Sequence, residues 1–216
     1  MFVRTLALGP MENFVYLVGP DDGRKAAVVD PAWDVPAILR AAREAGREVV
    51  AALLTHGHND HVNGLDELFA ARPGLRAFAH PAEIAFRPKL AALGDAVVPV
   101  PDGGTVPVGS LAVRAIHTPG HTPGAICWWA GDHLLTGDTL FIDACGRCDL
   151  PGGDPERMFE SLHRVLGALP GELRLLPGHD YGPVPTRTLA EERRENPYLR
   201  TGAREAFVAL RARPRS

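Results

Sequence analysis

Cysteine is scarce in this chain, with only Cys127, Cys145 and Cys148 among 216 residues. An odd, low count argues against a disulfide framework and fits a reducing, cytoplasmic setting. Cys145-x-x-Cys148 has the spacing of half a structural zinc site, but no second pair completes it. The plain reading is two loop thiols with a packing role. A basic surplus is also missing. The net charge is -3 and the pI near 6.3, so a nucleic-acid partner is not expected. No apolar run approaches the roughly 20 residues of a membrane span. The first ten residues lack the long apolar region and small-residue cleavage site of a signal peptide. Internal repeats, linkers and long charge runs are absent too.

Hydrophobic residues make up 45% of the chain, enough for one substantial core, and a single domain over 1–216 is expected. The 23 glycines and 20 prolines read as turn punctuation. Asn13–Val18 and Lys25–Asp30 read as a strand pair joined by a Gly19–Gly23 turn. Val35–Gly46 has helical periodicity, and Val49–Thr55 is an apolar strand of the kind buried on both faces. Gly64–Arg72 predicts a helix, Leu75–Ala79 a strand, and Ala82–Leu93 a helix interrupted by Pro88. Leu111–His117, Ala125–Ala130, His133–Thr136 and Leu173–Leu176 predict further strands. Pro155–Leu169 predicts one long helix capped by Asp154, and Thr186–Asn196 and Ala203–Arg211 a helical tail over 185–216. Strands followed by helices, twice over, imply a layered α/β or α+β domain with helices covering packed sheets.

The strongest signal is Thr55-His56-Gly57-His58-Asn59-Asp60-His61. Four ligand-type side chains sit within six residues at the end of an apolar strand. Gly57 and Asn59 predict a loop that lets them converge. Imidazole is the commonest metal ligand, and a carboxylate adds the charge that holds a divalent ion. Thr118-Pro-Gly-His121, Thr136-Gly-Asp138 and Pro177-Gly-His179 each place one more such residue just after a glycine, near a strand end. His80, His117, His133 and His163 lie in ordinary contexts and are expected to pack or face solvent.

This order of ligands, His-x-His-x-Asp-His followed by a separate His, Asp and His, resembles the metallo-β-lactamase superfamily from His56 to about His179. The resemblance implies an αββα sandwich of two mixed sheets with helices outside. It implies one metal site from His56, His58 and His121, another from Asp60, His61 and His179, and Asp138 between them. The thioesterase glyoxalase II is one relative of this type. Its helical glutathione-binding domain is expected to be missing here, because only 37 residues follow His179. Superfamily nucleases carry basic surfaces not visible here, and flavodiiron proteins need a flavin domain for which there is no room.

Ala144-Cys-Gly-Arg-Cys-Asp149 and His179-Asp-Tyr181…Glu191-Glu-Arg…Asn196-Pro are similar instead to the persulfide dioxygenases, although those relatives usually show Thr at the position of Cys148. This resemblance implies one Fe(2+) per chain on a catalytic trio of His56, His121 and Asp138. His58, Asp60, His61 and His179 would then orient that trio. Arg147 and Tyr181 are the candidate substrate contacts, with an ion pair to Asp149 or Asp143 as the structural alternative for Arg147. The implied reaction oxidises glutathione persulfide with O2 to sulfite and glutathione, with no nucleic acid or membrane partner; a homodimer is allowed. The competing expectation is a glyoxalase-II-like thioester hydrolase with two Zn(2+) or mixed Fe/Zn.

Overall fold

The computed structural model describes residues 1–211. Residues 212–216, the end of the expected helical tail, lie outside the described residues. Strands β1 (Phe2–Leu8), β2 (Asn13–Gly19), β3 (Lys25–Val29), β4 (Glu48–Leu53), β5 (Arg76–Ala79) and β6 (Val97–Pro99) form one sheet in that order. The first three pair antiparallel and the last three join β3 in parallel. A second sheet is built from β7 (Thr105–Val108), β8 (Leu111–His117), β9 (Ile126–Ala130) and β10 (His133–Gly137). It continues, after a short hairpin of β11 (Leu140–Phe141) and β12 (Ala144–Cys145), with β13 (Arg174–Pro177) parallel to β10.

Alternation along the strands divides the core into layers. Tyr16, Val18, Ala27, Val29 and Leu53 of the first sheet meet Val106, Val113, Ile126, Trp128 and Leu135 of the second. The opposite face of the first sheet, with Val15, Leu17, Val28 and Ala52, is covered by α1 (Val35–Glu44) and by α3 (Leu65–Ala71), which follows the single turn α2 (Asn59–Val62). Val35, Ile38, Ala41 and Ala42 line the buried side of α1, and Asp34 caps it by accepting from Ala37 N at 2.8 Å. On the other outer face, Leu134 and Leu175 pack against Met158, Leu162 and Leu166. The architecture is the expected αββα sandwich of mixed sheets. No helix among the described residues is long and apolar enough to cross a membrane.

The structure departs from the sequence reading in identifiable places. The segment Phe2–Leu8 is a strand, paired along its whole length with β2. Pro88 splits the expected helix into α4 (Pro81–Phe86) and α5 (Pro88–Ala92), because the residue before a proline is driven out of the helical region and Arg87 is extended. The long helix after Asp154 runs as α6 (Pro155–Glu160), then widens to a π-helical stretch at Ser161–Val165 and tightens at Leu166–Ala168. Ser161 Oγ donates to Pro119 O there at 2.7 Å, tying the widened stretch to the segment before His121. In the tail, α7 (Leu189–Glu195), α8 (Pro197–Arg200) and α9 (Arg204–Arg211) follow, with Thr188 and Glu191 closing a capping box on α7.

One buried carboxylate fixes the loops at the sheet edge. Glu83 accepts from Gly57 N at 2.7 Å, Thr122 Oγ1 at 2.7 Å, Gly124 N at 3.0 Å and Arg87 Nε at 3.3 Å. It therefore clamps the loop after β4 to the loop after β8. Glu83→Ala should lower stability by about 3–5 kcal/mol, because it leaves several enclosed donors without an acceptor. The exposed control Glu67→Ala should cost less than about 0.5 kcal/mol. Chemical denaturation of both variants decides the matter, and equal midpoints would remove the clamp from the argument.

Candidate metal centre

Strands β3 and β4 run parallel, so their C-terminal ends lie side by side. Asp30 follows β3 and Thr55-His56 follows β4. Asp30 Oδ1 accepts from Thr55 N at 2.7 Å, while Oδ2 accepts from Thr55 Oγ1 at 2.6 Å. With its own proton committed, the Thr55 hydroxyl accepts from His56 Nδ1 at 3.1 Å, which leaves His56 Nε2 as a bare lone pair. Asp30 Oδ2 also accepts from His61 Nδ1 at 2.9 Å. The turn α2, expected as plain loop, carries Asp60 and His61, and the His61 ring stays 4.1 Å from that of His56.

His121 and His179 are tied back in the same manner. His121 Nδ1 donates to Arg147 O at 2.8 Å, and His179 Nδ1 donates to Met11 O at 2.7 Å. The inward nitrogens then face one another: His121 Nε2 lies 2.8 Å from His58 Nδ1, and His61 Nε2 lies 3.1 Å from His179 Nε2. Asp138 sits between the groups. Its Oδ1 is 3.3 Å from His61 Nε2, and its Oδ2 is 3.5 Å from the Nε2 atoms of both His121 and His179. Two glycines permit this crowding. A Cβ on Gly178 would stand 2.5 Å from Asp138 Oδ1, and one on Gly146 would stand 1.9 Å from Asp138 O.

All seven residues singled out in the sequence thus converge. His56, His58 and His121 offer ligand atoms within 4.8 Å of one another, as do Asp60, His61 and His179. The buried atoms left without a hydrogen-bond partner include His56 Nε2 and Asp138 Oδ1. Orphaned inward lone pairs, with the outward nitrogens anchored on carbonyls, a hydroxyl and a carboxylate, are what a metal site requires. The donor set fits a divalent transition metal.

Electrostatics separate the two halves. Burial, reinforced by neighbouring imidazoles, holds His56 well below its usual pKa, brings His58 down to about 3 and lowers His121. These are neutral bases. Burial opposes charge at His61 and His179 as well, but there it is outweighed. The Asp138 charge and the bonds to Asp30 and Asp60 push His61 up, and hydrogen bonds to Asp138 and Asp60 push His179 up to about 9. Asp138 is held at about 2, burial being overcome by His61 and His179.

A cavity of about 420 Å³ opens on this centre, walled by Met11, Phe141, Leu150 and Tyr181 among others. Such a volume suits a small organic ligand. The Tyr181 ring stacks on His179 at 4.6 Å, and Phe141 meets both rings edge-on. Arg147 also lines the cavity, with its side chain in a two-point ion pair to Asp149, Nε to Oδ1 at 2.7 Å and Nη2 to Oδ2 at 2.6 Å. Asp143, the other partner considered for Arg147, pairs with Arg187 instead. Cys145 and Cys148 are buried in the outer core of the second sheet, and burial pushes the Cys148 thiol up to about 11. His80 and His117 stack on each other at 3.9 Å and stay outside the metal centre.

Several contributors were not singled out from the sequence. Asp30 carried a signal, since it is an acid closing an apolar strand. Asn13 donates to Asp60 Oδ2 at 3.1 Å and to Asp60 O at 3.0 Å, and Glu83 holds the loops. The Met11 carbonyl could carry no side-chain signal at all. The Glu191…Asn196 stretch has a local role: Asn196 Nδ2 donates to Phe141 O, Ala144 O and Glu192 Oε2, and Glu192 accepts from Asp143 N. It clamps the β11–β12 hairpin that supplies one cavity wall.

Comparison with known proteins agrees with this geometry. The chain is 34% identical over 201 residues to a probable polyketide biosynthesis zinc-dependent hydrolase, BaeB, of Bacillus velezensis, covering 93% of this chain and 88% of that protein. It is 32% identical over 201 residues to the mitochondrial persulfide dioxygenase ETHE1 of Homo sapiens, covering 92% and 75%. It is 40% identical over 172 residues to a hydroxyacylglutathione hydrolase of Gloeobacter violaceus, covering 79% and 64%. The crystal structure of ETHE1 from Myxococcus xanthus superposes with a TM-score of 0.87 at 31% identity, covering 100% of this chain and 93% of that one. TTHA1623 in a di-iron-bound form superposes with a TM-score of 0.77 at 33% identity, covering 91% and 100%. The family model of the metallo-beta-lactamase superfamily matches residues 8–179, and the chain belongs to that superfamily.

Proposed function

We propose that this protein is a mononuclear non-haem iron persulfide dioxygenase that converts glutathione persulfide, O2 and water to glutathione and sulfite. The observation that carries the reading is the asymmetry of the centre. The orphaned atoms His56 Nε2 and Asp138 Oδ1 belong to one trio with His121, whose inward Nε2 meets the His58 imidazole at 2.8 Å. In the other half Asp60 already accepts from Asn13, and His61 is bonded to Asp30. In that other half the neighbouring carboxylates raise His61 and His179, which favours a proton between those two imidazoles. Two neutral imidazoles and one carboxylate, with open positions, form a donor set suited to ferrous iron. Iron held there would supply the one-electron chemistry that lets a spin-paired persulfide react with O2, chemistry that zinc lacks. The chain's own part is to hold the trio rigid through Thr55, the Arg147 carbonyl, His61 and His179, and to seat the substrate against them. Arg147 would take a glutathione carboxylate and Tyr181 would flank the bound thiol. The persulfide dioxygenase relative and the ETHE1 fold neighbour support the reading.

A second reading rests on the Asp60, His61 and His179 set, whose ligand atoms also lie within 4.8 Å of one another, and on the hydrolase relatives. Filled with two Zn(2+) or mixed Fe/Zn, the centre would supply Lewis acidity for thioester hydrolysis.

Metal content separates the two. About one iron per chain is expected after anaerobic purification, and two tightly bound zincs needed for activity would sink the dioxygenase. Asp138→Ala should abolish metal binding under either reading. His179→Ala should keep most of the iron and lose activity about 10–100-fold; a fall in stoichiometry from two metals to one would favour the hydrolase.

Arg147→Lys should raise KM for glutathione persulfide more than it lowers kcat, since the forked contact is weakened. An unchanged KM with a lower Tm would reduce Arg147 to a structural partner of Asp149.

The reaction itself is tested by two assays on one preparation, O2 uptake with glutathione persulfide and cleavage of S-lactoylglutathione. Rapid uptake with sulfite formation and little thioester cleavage is expected. Fast hydrolysis without O2 uptake, in protein holding its native metal, would replace the dioxygenase with the hydrolase.

A further inference from the structure

Among the described residues that line the cavity, Arg147 is the only lysine or arginine. Its main chain is fixed to the metal centre, because its carbonyl accepts from His121 Nδ1 at 2.8 Å. Its side chain is about half exposed, and its guanidinium has two edges. Asp149 occupies one of them, taking Nε at 2.7 Å and Nη2 at 2.6 Å. Nη1 makes no hydrogen bond among the described residues, so the Nη1–Nη2 edge still has donors to give. A guanidinium carries five N–H donors in a rigid fork, and a carboxylate matches one edge with two parallel bonds.

We propose that Asp149 is a positioning residue for substrate. It grips the inner edge of Arg147 and holds the outer edge ready for the carboxylate of an anionic thiol seated in the cavity. The inference rests on the reading of this cavity as the substrate site, not on which reaction occurs there. Three features support it. First, the pair spans only two residues, so its geometry is set locally and survives without help from elsewhere. Second, an exposed ion pair of this kind contributes little to stability, so its ordered fork has its main consequence for whatever Arg147 binds. Third, Arg147 is the one lysine or arginine among the described residues lining the cavity, so a carboxylate seated there meets no other side-chain cation of that kind. An unrestrained Arg147 would sample many rotamers, and fixing one on binding would weaken affinity. The apolar walls at Met11, Leu150 and Phe141 suit the carbon skeleton between that carboxylate and the thiol.

The test is a binding measurement on the metal-loaded protein, independent of turnover. Calorimetric titration with glutathione and with its diethyl ester compares a carboxylate ligand with one of the same skeleton and amine that has no carboxylate. Asp149→Ala should weaken glutathione binding about threefold to tenfold and leave the ester unchanged. Asp149→Asn, which keeps one acceptor, should recover part of the loss. In an Arg147→Ala background, Asp149→Ala should have no effect on glutathione, as a double-mutant cycle requires when one residue acts only through the other. Unchanged or tighter glutathione binding in Asp149→Ala would overturn the proposal, as would equal losses for acid and ester, or no binding of glutathione by the unmodified protein. A protein that hydrolyses thioesters but shows the expected binding pattern would leave the role of Asp149 standing while the dioxygenase reading falls.

Discussion

Three carboxylates and five imidazoles meet at one sheet edge, and most of the structure around them answers that crowding. Asp30, Asp60 and Asp138 cannot all be buried as bare anions. In the absence of a metal the charge is met by protons, which is why His61 and His179 are pushed up while His56, His58 and His121 are pushed down. The same point therefore holds positive charge whether it is supplied by protons or by a divalent ion. The parallel pairing of β3 with β4 is the structural counterpart of this constraint. It brings Asp30 beside Thr55, and through that pair one carboxylate orients His56 in one half of the centre and His61 in the other.

The clustered candidate ligands were legible in the sequence because each is a polar residue set at the end of an apolar strand, usually behind a glycine. That pattern survives without knowledge of the fold. Glycine is required at Gly178 and Gly146 for a reason only the structure supplies: a Cβ at either would collide with Asp138. The anchors were harder to read. Asp30 and Asn13 are single polar residues bordering apolar strands, with no spacing to mark them, and the Met11 carbonyl leaves no trace in residue type. Glu83 was hidden inside a predicted helix, where a glutamate is ordinarily a solvated residue, yet it is fully buried.

Secondary structure was read well where periodicity was strong and poorly where tertiary contacts decide. The edge strand Phe2–Leu8 is half-buried and needs β2 to be recognised. The widening of the helix after Glu160 follows from Ser161 reaching the Pro119 carbonyl, a contact that helical periodicity cannot foresee. Both outcomes show propensity yielding to context.

The division of labour inside the centre bears on how one fold serves different chemistries. The presence of all seven donors does not by itself select one metal or two. The selecting features lie in the partners of those donors. Where a donor has a protein partner, as Asp60 has in Asn13, the ligand position can remain satisfied without metal. Where it has none, as at His56 Nε2, a bound cation would meet the cost of burial. Reaction type is then set by two further choices, the redox capacity of the cation and the shape of the cavity that meets it. In this chain the second choice is made by the β11–β12 hairpin. Asn196 and Glu192 hold that hairpin from outside the metal centre, so residues of the C-terminal helices shape a cavity wall without touching the candidate ligands.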